Sequence, residues 1–252
     1  MFPSSSPGKI PLQEIIARCD ELFNAGKGAE TGAFLRQWRQ QAQISGDERG
    51  ELSLLNELIG HYRMNCDPLR GKEAVTSALD LIKKLELSET FSAGTILLNA
   101  ATALQSFGET ERALELYEES ARIYEKNLSP GDKRFAALLN NLAAAYVEKG
   151  EFKAAEKNYL RALDLLQARG DLMDSAVTCL NLAQLYRSWN NDPQLIDTML
   201  ECAMAYFDAP EAVHDGYYAH TCGKCAPGFG ALGRKDIEEE LKSRAEKIYA
   251  RH

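Results

Sequence analysis

At 252 residues the chain is long enough for one extended domain or two compact ones. A composition of 45% hydrophobic and 26% charged residues is that of a folded protein, not a disordered one. Its 37 acidic against 29 basic side chains leave a formal net charge of −8, which repels phosphate backbones and anionic lipid and speaks against nucleic acid and membrane surfaces as partners. No apolar run approaches the roughly 18 residues of a membrane span. Met1 to Pro11, MFPSSSPGKIP, has Pro and Ser where an export signal carries an apolar stretch, so a cytoplasmic location is expected. Cys19, Cys66, Cys179, Cys202, Cys222 and Cys225 are mostly scattered singly among apolar neighbours and read as reduced core thiols.

Alternating Val/Ile/Thr runs bounded by turn dipeptides are absent, whereas apolar residues recur three and four apart, as in Ala113, Leu114, Tyr117, Ala121 and Tyr124. After a flexible segment over 1–10, this spacing predicts helices over 11–24, 28–44, 48–64, 69–85, 89–107 and 110–126, then 132–149, 152–168, 172–188, 193–207, 211–225 and 235–250. Asp67-Pro68, Ser129-Pro130 and Asp192-Pro193 each offer a capping side chain followed by a proline suited to a first helical position. Gly108, Gly150 and Gly170 stand where a helix ends on a left-handed residue. GFGALG over 228–233 is expected to be a turn between the last two helices, with Pro227 breaking the first of them.

Internal repetition organises these helices. LLNAATALQSFGETERALELY (97–117) overlies LNNLAAAYVEKGEFKAAEKNY (139–159), pairing Asn99 with Asn141, Ala101 with Ala143, Gly108 with Gly150, Ala113 with Ala155 and Tyr117 with Tyr159. CLNLAQLYRSWNN (179–191) is a third copy, with Asn181 and Ala183, and with Asn190 in place of the glycine. LLNELIGHYRMN (54–65) is a fainter one, with Asn56. The recurrent alanines suit a close helix crossing, and Leu104, Tyr146 and Tyr186 fill the space beside it. A unit of this size cannot bury its apolar face alone, so copies stack.

This pattern resembles the tetratricopeptide repeat, clearly over 54–207 and by helix pairing elsewhere; residues 127–166 resemble the longer repeats of kinesin light chains, which also carry LNNLA in the first helix. The resemblance implies an all-α, right-handed solenoid of about six stacked helix–turn–helix repeats over 11–252, with 208–252 a degenerate capping repeat. It also implies a module that binds a protein or peptide and is not an enzyme.

In such an array the first helix of each pair lines the concave side. Asn56, Asn99, Asn141 and Asn181 share one position there, opposite the packed alanines, and the resemblance places this asparagine in a peptide groove. An amide offers both donor and acceptor, which suits a peptide backbone. The same face continues through Ile59 and Arg63, Thr102 and Ser106, Ala144 and Glu148, and Gln184 and Ser188, flanked by Asn140 and Arg187. The other reading is that these amides bridge neighbouring helices. The lining is mixed in sign, without the Lys/Arg clamp by which some tetratricopeptide domains hold a C-terminal carboxylate, so an extended internal peptide is the expected ligand.

The competing signal is HTCGKC at 220–225. His220, Cys222 and Cys225 are candidate metal or redox residues, but one CxxC is half of a zinc-ribbon pattern, and two packed thiols explain it as well. No Walker loop, HExxH or nucleophile elbow is present. No cofactor is expected. A peptide-responsive regulator is a third reading, and a homodimer stays open.

Overall fold

The computed structural model describes residues 8–129 and 131–251. Among them are twelve helices: α1 Leu12–Asn24, α2 Gly28–Ser45, α3 Glu48–Met64, α4 Pro68–Lys84, α5 Phe91–Ser106, α6 Thr110–Asn127, α7 Lys133–Lys149, α8 Phe152–Arg169, α9 Leu172–Trp189, α10 Pro193–Phe207, α11 Gly216–Ala231 and α12 Lys235–Tyr249. No strand occurs among the described residues. The fold is an all-α helical repeat, as the pattern predicts.

The helices fall into two compact units that part between Asn127 and Leu128. In the first, α1 packs on α2, α3 on α4 and α5 on α6, and the first helices α3 and α5 also touch. In the second, α7 packs on α8, α9 on α10 and α11 on α12, and the first helices α7, α9 and α11 touch in succession. Ala101, Ala113, Ala143, Ala155 and Ala183 are all fully buried, the condition for close approach of paired backbones. Within the α5–α6 pair, a Cβ added at Gly94 would lie 2.9 Å from Ile123 and 3.0 Å from Tyr124, and Ser120 Oγ donates to the Gly94 carbonyl at 2.7 Å.

Most helix ends follow the local chemistry. Asp67 accepts from the Arg70 N–H, and Asp192 from the N–H groups of Gln194 and Leu195, each with proline at the first position. Gly108, Gly150 and Gly170 have φ of 79°, 78° and 73°.

Four expectations need correction. Ser129 does not cap α7: the helix begins at Lys133 under Asp132, which accepts from the Arg134 N–H, and Pro130 lies outside the described residues. In the third repeat the left-handed residue is Asn191 (φ 49°), not Asn190 (φ −125°). α11 begins at Gly216, five residues later than predicted, because Asp215 caps it through Tyr217 and Tyr218. It also runs through Pro227 and takes in residues 228–231, so the turn falls at Leu232 to Arg234, with Gly233 at φ 87°. Proline removes one helical hydrogen bond, but Pro227 and Gly223, four residues before it, are both exposed, so water can satisfy the freed carbonyl while buried Cys225 and Phe229 hold the helix down. Gly228 and Gly230 are contact residues: added Cβ atoms would lie 2.8 Å from Leu180 and 1.8 Å from Glu238.

Of the segment expected to be flexible, residues 1–7 lie outside the described residues. Ile10 is buried and its N–H donates to Asp47 Oδ2 at 3.0 Å, which fixes that end of it.

Replacing Ala101 by Leu should overfill the α5 crossing and lower stability by about 1–3 kcal/mol, read as a lower urea midpoint at unchanged m-value. An unchanged midpoint would mean that the crossing is not close-packed.

Candidate functional site

The two units hold their asparagines differently. In the first, Asn99 Nδ2 donates to Asn56 Oδ1 at 2.8 Å, joining α5 to α3, and Asn56 Nδ2 reaches Glu57 Oε1 at 3.4 Å. Thr102 Oγ1 donates to the Leu98 carbonyl and receives the Tyr117 hydroxyl at 3.2 Å, while Ser106 Oγ donates to the Ala103 carbonyl. Arg63 is exposed. Ile59, expected on the open face, is fully buried: α3 turns that position into the core.

In the second unit α7, α8, α9 and α11 border a half-open cavity of about 480 Å³. Asn140, Asn141, Ala144 and Glu148 line it from α7, Asn181, Gln184 and Ser188 from α9, and Lys224 from α11, with Lys133 and Asp174 at helix starts. Tyr159, Leu166, Val177 and Leu185 add its apolar contacts. Arg187 is exposed and does not line the cavity.

Asn140 is engaged: its Nδ2 donates to the Ala136 carbonyl at 3.2 Å and to Thr178 Oγ1 at 3.0 Å, tying α7 to α9. Asp174 accepts the Tyr217 hydroxyl. By contrast the side-chain amides of Asn141, Asn181 and Gln184 have no hydrogen-bond partner among the described residues, and Lys133 and Lys224 have no ion pair there. Five polar heads thus converge on one cavity with their bonding capacity unspent.

Neither lysine was predicted to contribute. In HTCGKC the two thiols turn inward and Lys224 turns to the cavity; the signal is its place between the inward Cys222 and Cys225 in one helix. Burial pushes the Cys222 thiol up to about 11 and the Cys225 thiol up to about 12, away from the thiolate that binds a metal. His220 is exposed, and among the described residues no group of three or more His, Cys, Asp and Glu is arranged to hold a metal. Also among the described residues, no helix is long and apolar enough to cross a membrane.

Helix pairs packed in succession define an α-helical repeat protein. Residues 94–132 and 134–209 match tetratricopeptide repeat families, so these two stretches carry tetratricopeptide repeats. Among solved structures the chain is similar to nearly identical TPR-like repeats from Podosopora anserina, described as those of a kinesin light chain (TM-score 0.60, 20% identity, 79% of this chain and 95% of that one). It is also similar to BtubC (BKLC) from P. vanneervenii (TM-score 0.60, 20% identity, 96% and 92%) and to the apo form of RapI (TM-score 0.65, 10% identity, 98% and 85%). At these identities the likeness is one of fold. No curated protein matches the chain.

The start of α7, which carries Lys133 into the cavity, depends on Asp132. Hydrogen bonds from Arg134 hold its carboxyl down to about 2, below the ordinary 3.8. A depressed carboxylate stabilises the fold above its unfolded pKa and loses that contribution as pH falls through its folded one. Asp132→Ala should therefore lower stability by about 1 kcal/mol at neutral pH. The gap to the unmodified protein should close as pH falls from about 4 to about 2, in denaturant titrations at stepped pH. A gap independent of pH would show that the charge plays no part.

Proposed function

We propose that this protein is an interaction scaffold that holds an extended peptide segment of a partner protein in the cavity of its second unit. Tetratricopeptide repeats serve in general as protein-interaction scaffolds. The observation that carries the reading is the set of unspent amides. Asn141, Asn181 and Gln184 each present a donor and an acceptor to the cavity, the pair of functions that a peptide main chain offers in return. An unused amide at the mouth of a cavity stays hydrated at little cost and exchanges water for a ligand on binding.

Lys133 and Lys224 refine the reading. Each ammonium group can pair with an acidic side chain of the bound segment, while Val177 and Leu185 take its apolar side chains. In the first unit the asparagines already satisfy each other, which supports a bridging role for Asn56 and Asn99, as for Asn140, and concentrates binding on Asn141, Asn181 and Gln184, with Glu148 beside them. A cytoplasmic setting suits the reading.

Peptides selected from a random display library on the intact protein provide the ligand for the test. Asn141→Ala with Asn181→Ala should weaken the selected peptides by about tenfold, each amide contributing roughly 0.5–1.5 kcal/mol, with helix content and melting temperature nearly unchanged. Asn99→Ala should do the reverse, lowering the melting temperature through the broken α3–α5 bridge while leaving binding intact. Equal peptide affinity in the Asn141/Asn181 double variant would overturn the proposal.

A further inference from the structure

We propose that Cys179 and Cys202 form a site for thiol–disulfide exchange, closing a reversible disulfide that ties α9 to α10. The two residues are 23 positions apart and belong to no sequence motif, yet their Sγ atoms lie 3.3 Å apart, with the Cys179 thiol donating to Cys202. Each sits on a well-formed helix, and the two helices pack along their length. A disulfide needs about 2.05 Å between sulfurs. The remaining closure is little more than an ångström.

The pair is asymmetric in a way that orders the chemistry. Cys179 is fully buried in the core of the second unit, and burial pushes its thiol well up. Cys202 is only partly buried. One turn further along α10, the Tyr206 hydroxyl, which accepts from Gln167 Nε2 at 2.7 Å, also hydrogen-bonds the Cys202 side chain. Cys202 is the more exposed of the two thiols, so a small disulfide from solvent meets it first. The Cys202 thiolate attacks one sulfur of the reagent R–S–S–R, forming a mixed disulfide and expelling one R–S⁻. Cys179 then gives up its proton and attacks the Cys202 sulfur, and the second R–S leaves, protonated, as R–SH. Two protein thiols are oxidised and one reagent disulfide is reduced to two thiols.

No other cysteines in the described residues combine these features. Cys222 and Cys225 are both buried, so neither offers an entry, while Cys66 is exposed and Cys19 buried, each without a thiol partner. The consequence is mechanical: α9 carries Asn181 and Gln184 into the cavity, and the closed disulfide would fasten that helix to α10. The site stands on the thiol geometry alone, and failure of the peptide-binding reading would leave it untouched.

The intact protein, incubated with oxidised glutathione and then alkylated under denaturing conditions, tests this by peptide mapping without reduction. The expected product joins Cys179 to Cys202, weighs two hydrogens less than the reduced chain and leaves four alkylated thiols. The melting temperature should rise by about 5 °C or more, reversibly with dithiothreitol. Cys202→Ser should keep the melting temperature of the reduced protein and lose both the cross-link and the rise. Glutathione retained on Cys202 as a mixed disulfide, a cross-link between other cysteines, or six free thiols after oxidation would each overturn the proposal.

Discussion

The structure depends on close crossings between paired helices, which only a small side chain at the contact permits. Ala101, Ala143 and Ala183 on first helices, with Ala113 and Ala155 on second ones, are sealed completely from solvent. The crossing fixes more than packing. With the alanine turned to its partner helix, the asparagine two residues earlier stands about 200° round the helix axis, and so faces away from the crossing. Core and candidate site are thus two faces of one constraint, and a helix that rotated to relieve a larger side chain would carry its asparagine off the polar face.

The same asparagine position does different work in the two units, and the neighbouring residues say why. In α7 and α9 the bridge between first helices is made by Asn140 and Thr178, one residue before Asn141 and three before Asn181. In α3 and α5 the corresponding residues are Leu55 and Ile96, which offer no polar side-chain atom, so Asn56 and Asn99 themselves make the bridge. A polar pair beside the repeated asparagines is what leaves Asn141, Asn181 and Gln184 free to face the cavity.

The sequence discloses what is local or periodic. Helix positions, the Asp-Pro caps at α4 and α10 and the left-handed glycines follow from side-chain chemistry within one turn, and the alanine crossings from repetition. α11 departs from its sequence pattern because proline and glycine are turn residues in isolation, whereas tertiary contacts of Phe229 and Gly228 outweigh that preference. Lys224 carries no local signal of its own, since its place on the cavity follows from which side of α11 the two neighbouring thiols bury. The meeting of Cys179 with Cys202 depends on how far α9 and α10 slide past each other, and residues outside the repeated positions carry no trace of that register.

The claim that the second unit reads a peptide through its unspent amides has a direct spectroscopic test. The side-chain NH₂ groups of Asn141, Asn181 and Gln184 can be followed by ¹⁵N–¹H NMR while a selected peptide is titrated in. The account predicts large shifts and slowed solvent exchange at these three amides, with Asn56 and Asn99 unmoved. Shifts concentrated on Asn56 and Asn99, or on the outer faces of α8 and α10, would contradict it.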